Sequence, residues 1–245
     1  MAHVDAGKTT LTERLLFCSG KLHSLGEVHE GTSTMDWMQQ EQERGITITS
    51  ATTTFIWRSS NFGLASLNII DTPGHIDFSV EVERSLRVLD GVVIVLDSTS
   101  GVEPQTETVW NQANRYGLVR LVFCNKMDKP GSDYDLCLES LKCKLGANVL
   151  SMQIPIVRDH EFIGVVDVVN MIALFWECTE DMHNFKVLEV PDELKLKATQ
   201  LHEIIVNSVI EYDPSAMARY LVNGKINTNE LISLIRLATL AGEIC

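Results

Sequence analysis

Three apolar runs, each ending in acid and turn residues, set the strongest constraint on what this chain can fold into: "SLNIIDTPGH", "DGVVIVLDSTSG" and "LVRLVFCNKMDKPG". Short runs rich in Val, Ile and Leu, closed by Gly, Pro, Asp or Asn, read as buried strands entering loops. Helical patterns separate them. Phe78 to Leu89 carries Val80, Val82, Leu86 and Leu89, and Thr106 to Tyr116 carries Val109, Trp110 and Ala113. This alternation predicts an α/β fold, a doubly wound, mostly parallel sheet whose ligands sit beyond the carboxyl ends of the strands. "SATTTFIWRSS", joined to "SLNIID" through a short loop containing Gly63, predicts an antiparallel edge hairpin.

Polar motifs fall where such a sheet binds ligands. In "MAHVDAGKTTLTERLL", Gly7-Lys8-Thr9 follow Ala2 at the spacing of a phosphate loop, G-x-x-x-x-G-K-[ST], with Ala2 the one departure. Ala6 and Gly7 leave room for backbone N–H groups to face a β-phosphate, and Lys8 reaches the β- and γ-phosphates. Thr9 offers a hydroxyl to Mg²⁺, and the helix expected over Thr10 to Phe17 turns its positive end toward the anion. "DTPGH" ends the first run: Asp71 is placed to hold a Mg²⁺-bound water and the Gly74 N–H to meet a γ-phosphate, unless the motif is only a strand-ending turn. "NKMD" ends the third. There Asn125 can bond a base edge, Lys126 can lay its stem along the base plane, and Asp128, acceptor-only when ionised, can take both N1 and N2 donors of guanine. Adenine lacks that donor pair, which disfavours a P-loop kinase or ATPase. Between these motifs lies the polar stretch "GEVHEGTSTMDWMQQEQERGITITSATTTF", of the kind that forms lids and switches. Thr47 within it either reaches Mg²⁺ when a γ-phosphate is present or simply starts the edge strand.

The remaining composition excludes more than it assigns. At 245 residues the chain can bury a real core. No apolar run approaches the ~20 residues needed to span a bilayer, so no membrane partner is expected and a cytoplasmic location is. Six cysteines without C-x-x-C spacing read as reduced thiols. A net charge of −13 argues against DNA or any broad phosphate-backbone partner. After "VLSMQIPIV" the character changes: residues 158–245 hold seven basic and fourteen acidic residues and no anion loop. We therefore expect a nucleotide domain over 1–157 and an inserted α+β subdomain over 158–245, with strands around Gly164, an amphipathic helix over Leu194 to Ile210 and a last helix from Asn227.

"AHVDAGKTT", "RGITIT", "DTPGHIDF", "NKMD" and "VLDGVVIVLDSTSGVEPQTETVW" together resemble the GTPase domain of translational GTPases, most closely the bacterial or organellar elongation factor G group. The resemblance covers essentially the whole chain. It implies GTP and GDP as ligands with Mg²⁺, bound by Ala2, His3, Val4, Asp5, Ala6, Gly7, Lys8, Thr9 and Thr10, by Asp71, Thr72, Pro73, Gly74 and His75, and by Asn125, Lys126, Met127 and Asp128. It makes Thr9, Thr47 and, through water, Asp71 the metal-site residues. His75 would orient the attacking water once ribosomal RNA has repositioned it, with Val4 and Ile46 as an apolar gate, Asp5 arranging the loop, and Lys8 and Gly74 completing the catalytic set. The implied function is GTP hydrolysis driving translocation of tRNA and mRNA by a monomer that contacts ribosomal RNA and the stalk protein, in the cytoplasm or an organelle matrix. A related ribosome protection factor of the tetracycline-resistance type, or a guanine-nucleotide or stalk binder that no longer hydrolyses GTP, are the alternatives. The group carries a strand before the position of Met1 and a fifth guanine motif after the position of Cys245, so the sequence is expected to be an internal fragment.

Overall fold

A computed structural model describes residues 1–24, 26, 33–44, 47–59, 63–159, 161–176 and 184–245. They form two compact units, Met1–Lys126 and Met127–Cys245. The expected change at 157/158 thus falls inside the second unit, because Gln153–Arg158 is a strand of that unit's sheet.

In the first unit, Gly7 adopts a left-handed conformation (φ 89°) and releases the chain into α1 (Lys8–Cys18). The helix start has no side-chain cap and no acidic residue in its first turn, so its free N–H groups and positive end stay available to an anion. Helix α2 (Gln39–Arg44) follows, then the antiparallel hairpin β1 (Ala51–Ser59) and β2 (Gly63–Asp71), in register from Ala51 opposite Asp71 to Ser59 opposite Gly63. Helix α3 (Ser79–Leu86) buries Val82 and Leu86. Val80, assigned to the same apolar stripe from the sequence, is instead 58% exposed, and Leu89 lies past the helix end.

Strands β3 (Gly91–Asp97) and β4 (Val119–Asn125) pair in parallel, with α4 (Pro104–Arg115) as the crossover. Pro104 suits the first turn of α4, where its missing N–H costs nothing, and Trp110 and Ala113 pack inward. The parallel register sets Asp97 beside Asn125 at the carboxyl edge. On the other side of β3, Met1 donates its terminal N–H to Val93 O at 2.8 Å and accepts from Val95 N at 2.9 Å. The phosphate-loop segment therefore starts in line with the sheet, which is what aims its turn at the carboxyl edge.

The second unit begins with α5 (Tyr134–Leu145), whose N-cap Asp133 accepts from Leu136 N at 3.0 Å. An antiparallel sheet follows in the order β5 (Gln153–Arg158), β6 (Glu161–Asp167), β7 (Ile172–Trp176), β8 (Phe185–Leu188). Gly164 in β6 is required by close approach: a Cβ there would lie 2.3 Å from Leu174 O. Helices α6 (Asp192–Val209), α7 (Pro214–Asn223) and α8 (Thr228–Leu240) complete the unit, around a core that includes Val166, Ala173, Ile205, Val209, Leu231 and Leu234. Ile204, between the buried Ala198 and Ile205 in α6, is half exposed. Among the described residues no helix is long and apolar enough to cross a membrane, and Cys18, Cys124, Cys137, Cys143 and Cys245 form no disulfide.

Candidate functional site

The loop before α1 is built around the Lys8 ammonium. Its Nζ donates to His3 O at 2.6 Å and to Ala2 O at 3.3 Å, so the side chain folds back along the loop it ends. Ala2 and Ala6 are buried against Val95, and small side chains there let the loop close over the sheet edge. Burial pulls Lys8 down to about 8, although Asp71 and Asp5 act to hold its charge. Gly74 lies over the same ammonium. A Cβ at Gly74 would come within 2.2 Å of Lys8 Nζ, so a side chain there would push the ammonium out of its place in the loop. Thr72 and Pro73, beside it, are buried, and the Thr72 hydroxyl finds no hydrogen-bond partner among the described residues.

The loop is also held from outside. His3 Nε2 meets Glu103 Oε2 at 2.9 Å, and Val4 N donates to Gln105 Oε1 at 3.3 Å. Both partners sit at the start of α4 and were missed in the sequence, where "GVEPQTETVW" shows only an amphipathic helix start. Asp5 takes positive φ (59°) and points its carbonyl toward Lys126.

Next to Lys8 lies a polar, buried cluster. The Thr9 and Thr47 hydroxyl oxygens are 3.0 Å apart, and Thr47 donates its proton to Asp36 Oδ1 at 2.8 Å. Asp71 accepts from Thr9. One oxygen each of Asp36 and Asp71 is buried with no hydrogen-bond partner among the described residues. Burial raises Asp36 to about 6 despite the Thr47 bond, and raises Asp71 as well, against Thr9, the chain's terminal ammonium and Lys8. Two threonine oxygens with free lone pairs and two partnerless carboxylate oxygens fit a hard divalent cation that keeps several waters, as Mg²⁺ does. Asp36 was not singled out in the sequence, where it is one acid among many in an aperiodic stretch. Among the described residues no three His, Cys, Asp or Glu side chains gather with metal-ligating geometry, so hydroxyls are essential to this reading.

The base-side motif is joined to the same loop. Asn125 Nδ2 donates to Ala6 O at 2.8 Å, and a Cβ on Gly7 would lie 2.3 Å from that nitrogen. Lys126, at positive φ (60°), sends its ammonium to Asp5 O and, at 2.7 Å, to Asp97 Oδ2. Asp97 also accepts from Thr99 N and Oγ1. Burial opposes ionisation of Asp97, yet the bonds from Lys126 and Thr99 outweigh it and hold the carboxyl near 2. In the second unit, Met127 O accepts from Ser132 Oγ at 2.9 Å, and the Asp128 carboxylate is exposed.

The structure therefore gathers Ala2 to Thr9, Thr47, Asp71 to Gly74, Asn125 and Lys126 around one loop, with Thr10 half-buried in the first turn of α1. It does not bring His75 in with them. The ring is 44% exposed, its Nδ1 lies 3.3 Å from Asp77 Oδ2, and it leans toward Phe78 with ring centres 6.1 Å apart. His75 nevertheless borders a small cavity shared with Ala2, Gly74, Val82 and Gln105. Ile46, the expected second half of an apolar gate with Val4, lies outside the described residues.

Comparison with known proteins agrees with this geometry. Residues 1–236 match the model of the elongation factor Tu GTP binding domain. Among solved structures, the protein ttk003000868 from Thermus thermophilus is similar at 28% identity with a TM-score of 0.88, over 99% of this chain and 35% of that one. The chain thus spans about a third of that protein's length. With the match covering nearly its whole length, the chain belongs to the elongation factor Tu GTP binding domain family and is a P-loop GTPase domain of the translational class.

Proposed function

We propose that this domain binds GTP and GDP with Mg²⁺ and hydrolyses GTP under stimulation by the ribosome, as the GTPase domain of an elongation factor G-like protein. The observation that carries the reading is the convergence on one loop of Lys8, the Thr9–Thr47 hydroxyl pair and Gly74, from segments far apart in sequence. Phosphoryl transfer needs positioned charge more than covalent help from the protein. Lys8 exchanges two loop carbonyls for phosphate oxygens, the first N–H groups of α1 face the same anion, and Gly74 N–H meets the terminal phosphate. Thr9 and Thr47 would hold Mg²⁺ directly, with Asp71 and Asp36 accepting from its waters; the ion supplies charge that offsets the build-up on the transferring group. Asn125 and Asp128 read the guanine edge. His75, engaged with Asp77 and exposed, must turn inward to position the attacking water, so turnover is expected to be slow until a partner moves it. By resemblance that partner is ribosomal RNA, the stalk protein is a second contact, and the work done is movement of tRNA and mRNA in the cytoplasm or an organelle matrix.

The test combines guanine-nucleotide binding, with and without Mg²⁺ chelation, and GTP turnover with and without ribosomes. Mg²⁺-dependent binding with ribosome-stimulated turnover supports the reading. Binding without stimulated turnover favours a non-hydrolysing guanine-nucleotide module, and absence of binding removes the reading altogether.

A further inference from the structure

Two carboxylates that no step above uses are among the most deeply buried side chains of the first unit. Glu41, fully buried in α2, accepts on Oε1 from Ile48 N and Thr49 N, both at 2.9 Å, and from Thr49 Oγ1 at 3.1 Å. Its Oε2 accepts at 3.1 Å from the N–H of Met38, the residue just before α2. Glu13, 1% exposed on α1, accepts on one oxygen from Ser33 Oγ at 3.1 Å, Thr34 N at 2.7 Å and Met35 N at 3.1 Å. Burying a carboxylate is costly unless its lone pairs are filled; both Glu41 oxygens accept bonds, while among the described residues only one Glu13 oxygen does, so Glu41 is the better-satisfied anchor of the segment. The two sets bracket one residue. Glu13 anchors the stretch leading to Asp36, Asp36 takes the Thr47 proton, Glu41 grips the two backbone N–H groups just after Thr47, and Thr47 faces Thr9 on the same helix as Glu13. The result is a closed circuit: α1 to 33–36, to Thr47, and back to α1.

We infer that Glu41, with Glu13 as its second anchor, is a positioning residue that sets where the Thr47 hydroxyl stands and so how strongly the domain prefers GTP to GDP. The inference rests on the proposed function, in which Thr47 acts only when a terminal phosphate is present. The bonds that Glu41 accepts come from Met38, Ile48 and Thr49, none of which the proposed function assigns to nucleotide or metal. A side chain that merely stabilised the fold would weaken both nucleotides alike, whereas one acting through Thr47 must change their ratio, because a ligand shifts only an equilibrium with which it interacts differently.

The experiment uses the whole chain with Glu41→Ala, Glu41→Gln, Glu13→Gln and, as a control of equal charge change on the same helix, the exposed Glu43→Ala. Affinities for GDP and a non-hydrolysable GTP analogue are measured with Mg²⁺, and amide hydrogen exchange is followed without nucleotide. Glu41→Ala should weaken the GTP analogue about tenfold while leaving GDP within about twofold, the usual scale of coupling between linked sites. Glu41→Gln, which keeps one acceptor oxygen, should recover part of the ratio, and Glu43→Ala should change nothing. Exchange at Ile48 and Thr49 should speed up in Glu41→Ala, and at Thr34 and Met35 in Glu13→Gln. An unchanged GTP-to-GDP ratio, or equal loss for both, overturns the inference. If the unaltered chain binds neither nucleotide, the proposed function fails, and unchanged exchange at Ile48 and Thr49 then separately overturns the clamp.

Discussion

Replacing Gly7 by alanine tests whether the phosphate loop and the base motif are one mechanical unit. Gly7 sits at φ 89°, where a side chain costs about 1–3 kcal/mol in backbone strain. The added Cβ also lies 2.3 Å from Asn125 Nδ2, so the amide must leave Ala6 O and give up a hydrogen bond of about 0.5–1.5 kcal/mol. Gly7→Ala should therefore destabilise the first unit by about 2–4 kcal/mol, a large share of a total of about 5–15. The assay is urea unfolding read by the slowest amides of β3 and β4. A double-mutant cycle isolates the clash, because Asn125→Ala removes both the obstructing amide and its bond. The combined variant should cost less than the two singles together by about 1 kcal/mol. Strict additivity would refute the argument, since Asn125 would then not be what the new methyl displaces.

Asp128→Asn should weaken GTP by about 1.5–3 kcal/mol per lost charged hydrogen bond and move preference toward xanthine nucleotide; unchanged selectivity in competition sinks the base assignment. His75→Ala should leave GTP affinity within a few-fold while ribosome-stimulated hydrolysis falls about 10²-fold or more, and near-normal stimulated turnover rejects His75 as the water-positioning group. Because Asp97 titrates near 2 in the folded chain against an ordinary 3.8, the stability it contributes is complete above that ordinary value and lost as pH falls from about 4 to 2. Thermal unfolding of wild type and Asp97→Asn should therefore differ at neutral pH and converge toward pH 2, and a gap that stays constant with pH contradicts the ion pair with Lys126.

The parts of the site legible in the sequence are those in which a strand, a turn and the functional residue are contiguous. "DTPGH" and "NKMD" announce themselves because the apolar run that fixes the strand directly precedes the residues it aims, and Gly7-Lys8-Thr9 open a helix in the same local way. Burial of acids is not written in this fashion. Glu13, Asp36 and Glu41 look like solvated charges, since nothing near them in the sequence shows that backbone N–H groups at Thr34, Ile48 and Thr49 will come to meet them. The same gap explains Val80 and Ile204: helical spacing gives the width of an apolar stripe, while the neighbours that cover it decide which edge residue stays wet.

Those buried acids also narrow what the site can accept. Burial has lowered Lys8 and raised Asp36 and Asp71, so a poorly solvated ammonium lies beside carboxylates that each have one oxygen unfilled among the described residues. A bare phosphate would satisfy Lys8 but lie against Asp71 and Asp36, and a bare divalent cation would satisfy the acids but repel Lys8. A ligand carrying both charges, its anionic end met by Lys8 and its cation held by Thr9 and Thr47, would relieve these groups together. On the proposed reading, a nucleotide and its Mg²⁺ would be recognised as a single ligand, with the two threonine hydroxyls, 3.0 Å apart, holding the ion.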